Sequence, residues 1–126
     1  MMNEISIAGR KIGPQFLPYV IAEMSANHNG NLEAALRIMD EAKKAGADAV
    51  KIQTYRADTI TLKSDRPDFQ IKDGLWAGRS LYELYEWAHT PWEWHAILFE
   101  HARKLGITVF SSPFDTTAVD LLEDLG

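Results

Sequence analysis

Apolar residues along this chain alternate between two spacings. Across residues 32–45, Ala35, Ile38, Met39, Ala42 and Ala45 recur every three to four positions, the stripe of an amphipathic helix. Across residues 19–22, 48–54 and 107–111 they gather instead into short runs rich in β-branched and aromatic side chains, which predict strands. Further helices are predicted over residues 80–89 and 90–104, and a last one turns Ala118, Leu121, Leu122 and Leu125 inward. Residues 5–14 read as a small hairpin turning at Gly9, and residues 55–79 as a long polar insertion carrying Pro67, Gly74 and Gly78.

Local signals mark where these elements start and stop. Asn31 is the expected N-cap of the first helix. Lys43 and Lys44 suit its negative end, and Gly46 its C-terminal stop. The tetrad Thr90-Pro91-Trp92-Glu93 predicts a capping box, with Thr as N-cap, Pro at N1 and Glu at N3. Asp115 is the expected cap of the last helix. The resulting order is strand–helix three times, each helix closing on a glycine: Gly46, Gly106 and Gly126. Such alternation builds a parallel α/β sheet with right-handed crossovers. Three units leave an open sheet edge and a bare face, so the chain is expected to be the first part of a barrel or doubly wound domain.

Composition narrows the function. With 126 residues, 46% hydrophobic and 25% charged, the chain is an ordinary globular one. Its 13 Lys and Arg against 18 Asp and Glu give a net charge of −5, the wrong sign for a nucleic-acid binder relying on counterion release. The absence of cysteine excludes disulfides, thiolate nucleophiles and Cys-ligated zinc. No apolar run approaches the ~20 residues of a membrane span. The start, Met1-Met2-Asn3-Glu4, lacks the basic and apolar regions of a signal peptide, so a cytoplasmic location is expected.

Side chains alternate across a strand. Val50 and Ile52 therefore face packed helices, while Lys51 and Gln53 face the lumen of a barrel. In the same phase Glu23 ends the first strand and Ser112 ends the third. The C-terminal strand ends of parallel barrels carry their active sites. Taken one at a time these residues have plainer readings: a solvated lysine at a strand end, a surface glutamate, a serine opening a loop before Pro113. Lys51 stands out because it lies between Val50 and Ile52, and a buried ammonium is costly unless an anion meets it. Three polar groups converging from three strands favour a site. In the first loop, Asn29 and Gly30 suit a tight turn; Asn27 and His28 fit either that turn or a place facing substrate, where His28 could donate or act as acid/base. His95 and His101 are six residues apart, off the four-residue spacing of paired helical metal ligands, and with His89 indicate no metal site. Trp87, Trp92 and Trp94 with Tyr82 and Tyr85 read as helix packing.

The runs Ile21-Ala22-Glu23-Met24-Ser25-Ala26-Asn27-His28-Asn29-Gly30, Val50-Lys51-Ile52-Gln53-Thr54 and Phe110-Ser111-Ser112-Pro113-Phe114 resemble the sialic acid synthase family of nonulosonate synthases. Tyr55-Arg56-Ala57-Asp58-Thr59-Ile60-Thr61, Leu75-Trp76-Ala77-Gly78-Arg79-Ser80-Leu81-Tyr82 and His89-Thr90-Pro91-Trp92-Glu93-Trp94-His95 are most similar to its pseudaminic branch. The resemblance implies the N-terminal portion of a (β/α)8 TIM barrel across residues 1–126. The rest of the barrel and a C-terminal antifreeze-like domain would lie beyond Gly126. It also implies a homodimer, and condensation of phosphoenolpyruvate with an amino-sugar aldehyde to a nine-carbon 2-keto acid with release of phosphate. The divalent metal implied, usually Mn2+, polarises the aldehyde, and its two histidine ligands fall outside this chain.

By motif, Lys51 and Ser112 match positions that contact phosphoenolpyruvate. Glu23 and Gln53 match sugar-side positions, with Glu23 a candidate for proton handling or aldehyde orientation. Asn27 and His28 match the first-loop motif on the sugar side. Sialic acid synthases carry a sugar-contacting asparagine in a Pro-Gly-Asn stretch where this chain reads Leu75-Trp76-Ala77-Gly78-Arg79. That departure favours a 2,4-diacetamido-2,4,6-trideoxy-altrose substrate over N-acetylmannosamine. The alternatives are an N-acetylneuraminic or legionaminic acid synthase, a Schiff-base aldolase using Lys51, or a non-catalytic half-barrel that assembles with another copy. The chain alone is expected to be inactive and to self-associate through its bare face.

Overall fold

β4 (Ala49–Thr54) is the strand around which the rest is built. A computed structural model describes residues 3–126, so the expectation drawn from Met1 and Met2 lies outside the described residues. β4 is the centre of a three-stranded parallel sheet, flanked by β3 (Ile21–Glu23) and β5 (Thr108–Pro113). Its β-branched Val50, Ile52 and Thr54 point to one face and are fully buried. A separate antiparallel hairpin, β1 (Ile5–Ile7) with β2 (Arg10–Ile12), precedes the sheet. The Arg10 guanidinium reaches Asp48 at 3.2 Å, and the other Asp48 oxygen accepts the Val20 N–H at 2.8 Å. Those bonds, the Val20 amide first, hold the Asp48 carboxyl below its ordinary pKa, and they fasten the hairpin to the start of β4.

Helices α1 (Leu32–Lys44) and α4 (Trp94–Leu105) cover the Val50–Ile52 face. Met24, Met39, Val50, Ile52, Leu98, Phe99 and Ile107 pack there with Ala35 and Ala102. The two alanines let the helices approach the sheet closely. Burial of each large member stabilises the fold by about 1.5–3 kcal/mol. Asn31 caps α1 through its side chain, which accepts from the Ala34 N–H at 2.8 Å. Asp115 caps α5 (Thr116–Leu125) by accepting from the Thr117 and Ala118 amides. Gly106 ends α4 in the left-handed region, at φ 68°.

The structure departs from the sequence reading in three places. The Thr90–Glu93 capping box does not form. Residues 91–95 instead make a tight turn, with the Trp94 N–H on the Pro91 carbonyl and the His95 N–H on that of Trp92, and α4 starts at Trp94 without a side-chain cap. A capping box does form ten residues earlier, between Ser80 and Glu83 at the head of α3 (Leu81–Ala88). The long insertion contains a short helix α2 (Ala57–Ile60), a 3-10 turn at Pro67–Phe69 and a bridge between Gln70 and Ser80. β5 runs through Ser112 to Pro113, because β4 stays paired with it as far as Thr54↔Pro113; proline tolerates the last position of an outer strand.

Candidate active site

Parallel register puts the predicted polar residues into rows. Glu23 pairs with Lys51, Lys51 with Phe110, and Gln53 with Ser112. Since register partners share a face, Glu23, Lys51, Gln53 and Ser112 all lie on the side of the sheet opposite the helices, at its C-terminal end. The Lys51 Nζ donates to Glu23 Oε1 at 3.0 Å, with the two side chains 30% and 63% exposed. An ion pair this open is worth only about 0–1 kcal/mol, so it orients the two groups more than it stabilises the fold. Together the row places one cation, one anion, an amide and a hydroxyl on one face of the sheet. Ile21 and Phe110 lie on the same face and remain exposed.

The first-loop pair does not join this row. Asn27 turns its side-chain amide back to the Met24 carbonyl at 2.9 Å. His28 is fully buried, and its ring meets Trp94 edge-on at 5.2 Å. Its Nδ1 accepts the Gly30 N–H at 3.0 Å, which fixes the turn before α1. Burial, then the neighbouring His89, pushes the His28 pKa down.

Opposite the row, on the helix side, three polar groups form a chain that sequence reasoning passed over. His95 is fully buried. Its Nδ1 lies 3.1 Å from the Pro91 and Trp92 carbonyls, and its Nε2 lies 2.7 Å from Thr54 Oγ1. Thr54 Oγ1 in turn lies 2.5 Å from Ser111 Oγ. Spacing along α4 marks His95 only as inward-facing; its partners come from two other elements.

The rim is tied by Arg56 and Tyr55, to which the sequence assigned no role. Arg56 stacks on Trp92 at 4.6 Å and donates to the Thr117 hydroxyl at 3.1 Å. Tyr55 packs edge-on against Tyr85 and Phe114. Tyr55 thereby joins the loop after β4 to the loop after β5, and Arg56 joins it to the first turn of α5. Among the described residues no group of three or more His, Asp or Glu could hold a metal ion, and no helix is long and apolar enough to cross a membrane.

Successive strand–helix units with a polar row at the C-terminal strand ends make this chain the N-terminal part of a TIM barrel. The chain belongs to the NeuB family, whose model matches residues 38–126. It is 59% identical over 105 residues to a pseudaminic acid synthase of Campylobacter jejuni, covering 83% of this chain and 31% of that protein. It is 51% identical over 108 residues to the pseudaminic acid synthase of Helicobacter pylori, covering 86% and 32%. An N,N'-diacetyllegionaminic acid synthase of Legionella pneumophila is 37% identical over 115 residues, covering 90% of this chain and 32% of the relative. Among solved structures, an N-acetylneuraminic acid synthetase from Leptospira borgpetersenii superposes with a TM-score of 0.79 at 29% identity, covering 100% of this chain and 39% of that one. The chain thus spans about a third of the length of the curated relatives it matches.

Proposed function

We propose that this chain forms the opening strands of a pseudaminic-type nonulosonate synthase, which joins phosphoenolpyruvate to an amino-sugar aldehyde. The observation that carries the proposal is the Glu23–Lys51 pair at 3.0 Å, set in one row with Gln53 and Ser112. The identity to pseudaminic acid synthases supports the choice of sugar, a diacetamido-trideoxy hexose.

In this reading Lys51 Nζ neutralises the carboxylate or phosphate of phosphoenolpyruvate, and the Ser112 hydroxyl donates to the same anion. Gln53 and the free oxygen of Glu23 orient the sugar, with Glu23 serving the proton of its aldehyde oxygen. C3 of the enol ester attacks the aldehyde carbon, forming the C–C bond. Water then adds at C2, and the tetrahedral adduct expels phosphate by C–O cleavage, leaving the 2-keto acid. Charge neutralisation is the main rate contribution from these residues.

The family's divalent metal does not fit the residues of this chain alone. Glu23 is already held by an ammonium, and among the described residues no group of three or more His, Asp or Glu gathers that could hold an ion, so no step is assigned to a metal held here. Ligands for it, the remaining strands and a dimer partner belong to the longer protein. Ile21 and Phe110 are the surface on which those strands would close, and through which this chain alone would self-associate.

The test uses a protein of the relatives' full length, supplied with phosphoenolpyruvate labelled with 18O in the C–O–P bridge and the trideoxy hexose. Release of phosphate lacking the label, together with a keto acid whose mass is that of phosphoenolpyruvate, sugar and one water less phosphoric acid, contradicts the C–O cleavage step. Labelled phosphate is the expected result. Borohydride capture of substrate on Lys51 would replace the scheme with a Schiff-base aldolase; the ion pair with Glu23 supports use of the lysine as a charge instead.

A further inference from the structure

We infer that His95 is a positioning residue for the mouth of the barrel, setting Gln53 and Ser112 through the hydroxyls of Thr54 and Ser111. The inference rests on the proposed reading only in taking Gln53 and Ser112 to meet substrate. Its basis is the direction of the buried hydrogen-bond chain.

Nδ1 of His95 faces two carbonyls at 3.1 Å. Carbonyls only accept, so Nδ1 carries the ring proton and Nε2 presents a lone pair. Burial also holds the ring neutral by lowering its pKa. The Thr54 hydroxyl, 2.7 Å away, therefore donates to Nε2, and its oxygen is left to accept the Ser111 proton across 2.5 Å. One arrangement satisfies every member: Ser111 to Thr54, Thr54 to His95, His95 to the turn before α4. Apolar side chains of the same size would fill this space without any polar risk. A hydrogen-bonded chain adds what packing does not, a fixed distance and direction from α4 to two strands.

Those strands carry the row on their other face. Thr54 adjoins Gln53 and Ser111 adjoins Ser112, and Gln53 and Ser112 are register partners. Alternation turns each pinned hydroxyl and its functional neighbour to opposite faces of one peptide unit. Fixing Thr54 and Ser111 thus fixes where Gln53 and Ser112 enter the mouth.

The experiment compares Thr54→Val, which keeps shape and removes the hydroxyl, with Thr54→Ser, which restores it, in the full-length protein. Thr54→Val is expected to lower kcat/KM about tenfold or more, as a misplaced contact does, at a temperature where its circular dichroism matches wild type. Thr54→Ser should return to within about twofold. A crystal structure of Thr54→Val should show Gln53 and Ser112 displaced, and 15N shifts should show the Nδ1–H tautomer of His95 in wild type. Wild-type kinetics with both residues unmoved would overturn the inference, as would an Nε2–H tautomer; lost thermal stability with neither change is a purely structural role and overturns it too. Where kinetics and position disagree, position decides. If the wild-type protein does not turn over phosphoenolpyruvate with the sugar, the proposed function has failed, and displacement or its absence alone judges His95. Should Thr54→Val not fold, Ser111→Ala breaks the outer link and is read in the same ways.

Discussion

The two faces of β4 are made from alternate residues of one six-residue strand, yet they obey different physics. Val50, Ile52 and Thr54 are fully buried, pressed against α1 and α4 with a polar chain that is closed on itself. Lys51 and Gln53 are only partly buried, and the Lys51 ammonium meets Glu23 on the face away from the helices. The helix face supplies stability and position. The opposite face adds little to stability, which leaves its side chains free for chemistry.

Neighbouring substitutions should therefore behave oppositely. Ile52→Ala should cost about 2–5 kcal/mol of stability in urea unfolding, from lost burial and a cavity; a loss under about 1 kcal/mol would remove the distinction between the faces. Lys51→Ala should leave stability almost untouched but weaken phosphoenolpyruvate binding in the full-length protein by about 1.5–3 kcal/mol, as for a lost charged hydrogen bond. An unchanged KM would take Lys51 out of the anion site. Asn31→Ala, on the first helix that backs the sheet, should cost about 1 kcal/mol through the lost N-cap, measured by the same unfolding. Glu23→Gln should change stability by less than about 1 kcal/mol; a larger loss would mean that the open face is structural after all.

Acidity tests the buried side separately. His28 and His95 both have pKa values lowered chiefly by burial. Just below the unfolded histidine value, about 6.5, the unfolded chain then binds more protons than the folded one. The stability held above that pH is lost as pH falls through it toward the folded values. Melting temperature should drop between about pH 7.5 and about pH 5.5, and His95→Phe should flatten part of the drop. A melting temperature that rose on acidification would contradict the burial of both rings in neutral form.

Much of the fold was legible because its signals are local. Helical spacing in residues 32–45, the Asn31 and Asp115 caps and the β-rich runs each follow from near-neighbour sterics and hydrogen bonding. The polar row was legible as well, since alternation is a property of any strand and parallel pairing adds only register. The Thr90–Glu93 box failed where a non-local demand intervened. The His95 ring is held to Thr54, 41 positions away, and its other nitrogen takes the Pro91 and Trp92 carbonyls, which shapes the turn differently from a capped helix start. The burial of His28 was not legible for a related reason: loop sequence allows either an exposed or an inward ring, and the inward position brings it against Trp94 of a distant helix.

The sequence by itself determined the order of βα units and the opposing faces of β4, because both arise from periodicity within single elements. Only the tertiary structure decided that Glu23 meets Lys51, that His95 joins Thr54 and Ser111, and that Arg56 spans Trp92 and Thr117. Each of those contacts joins residues at least 28 positions apart or drawn from separate elements. Their distances are set by how helices and strands pack, which no stretch of neighbouring residues encodes.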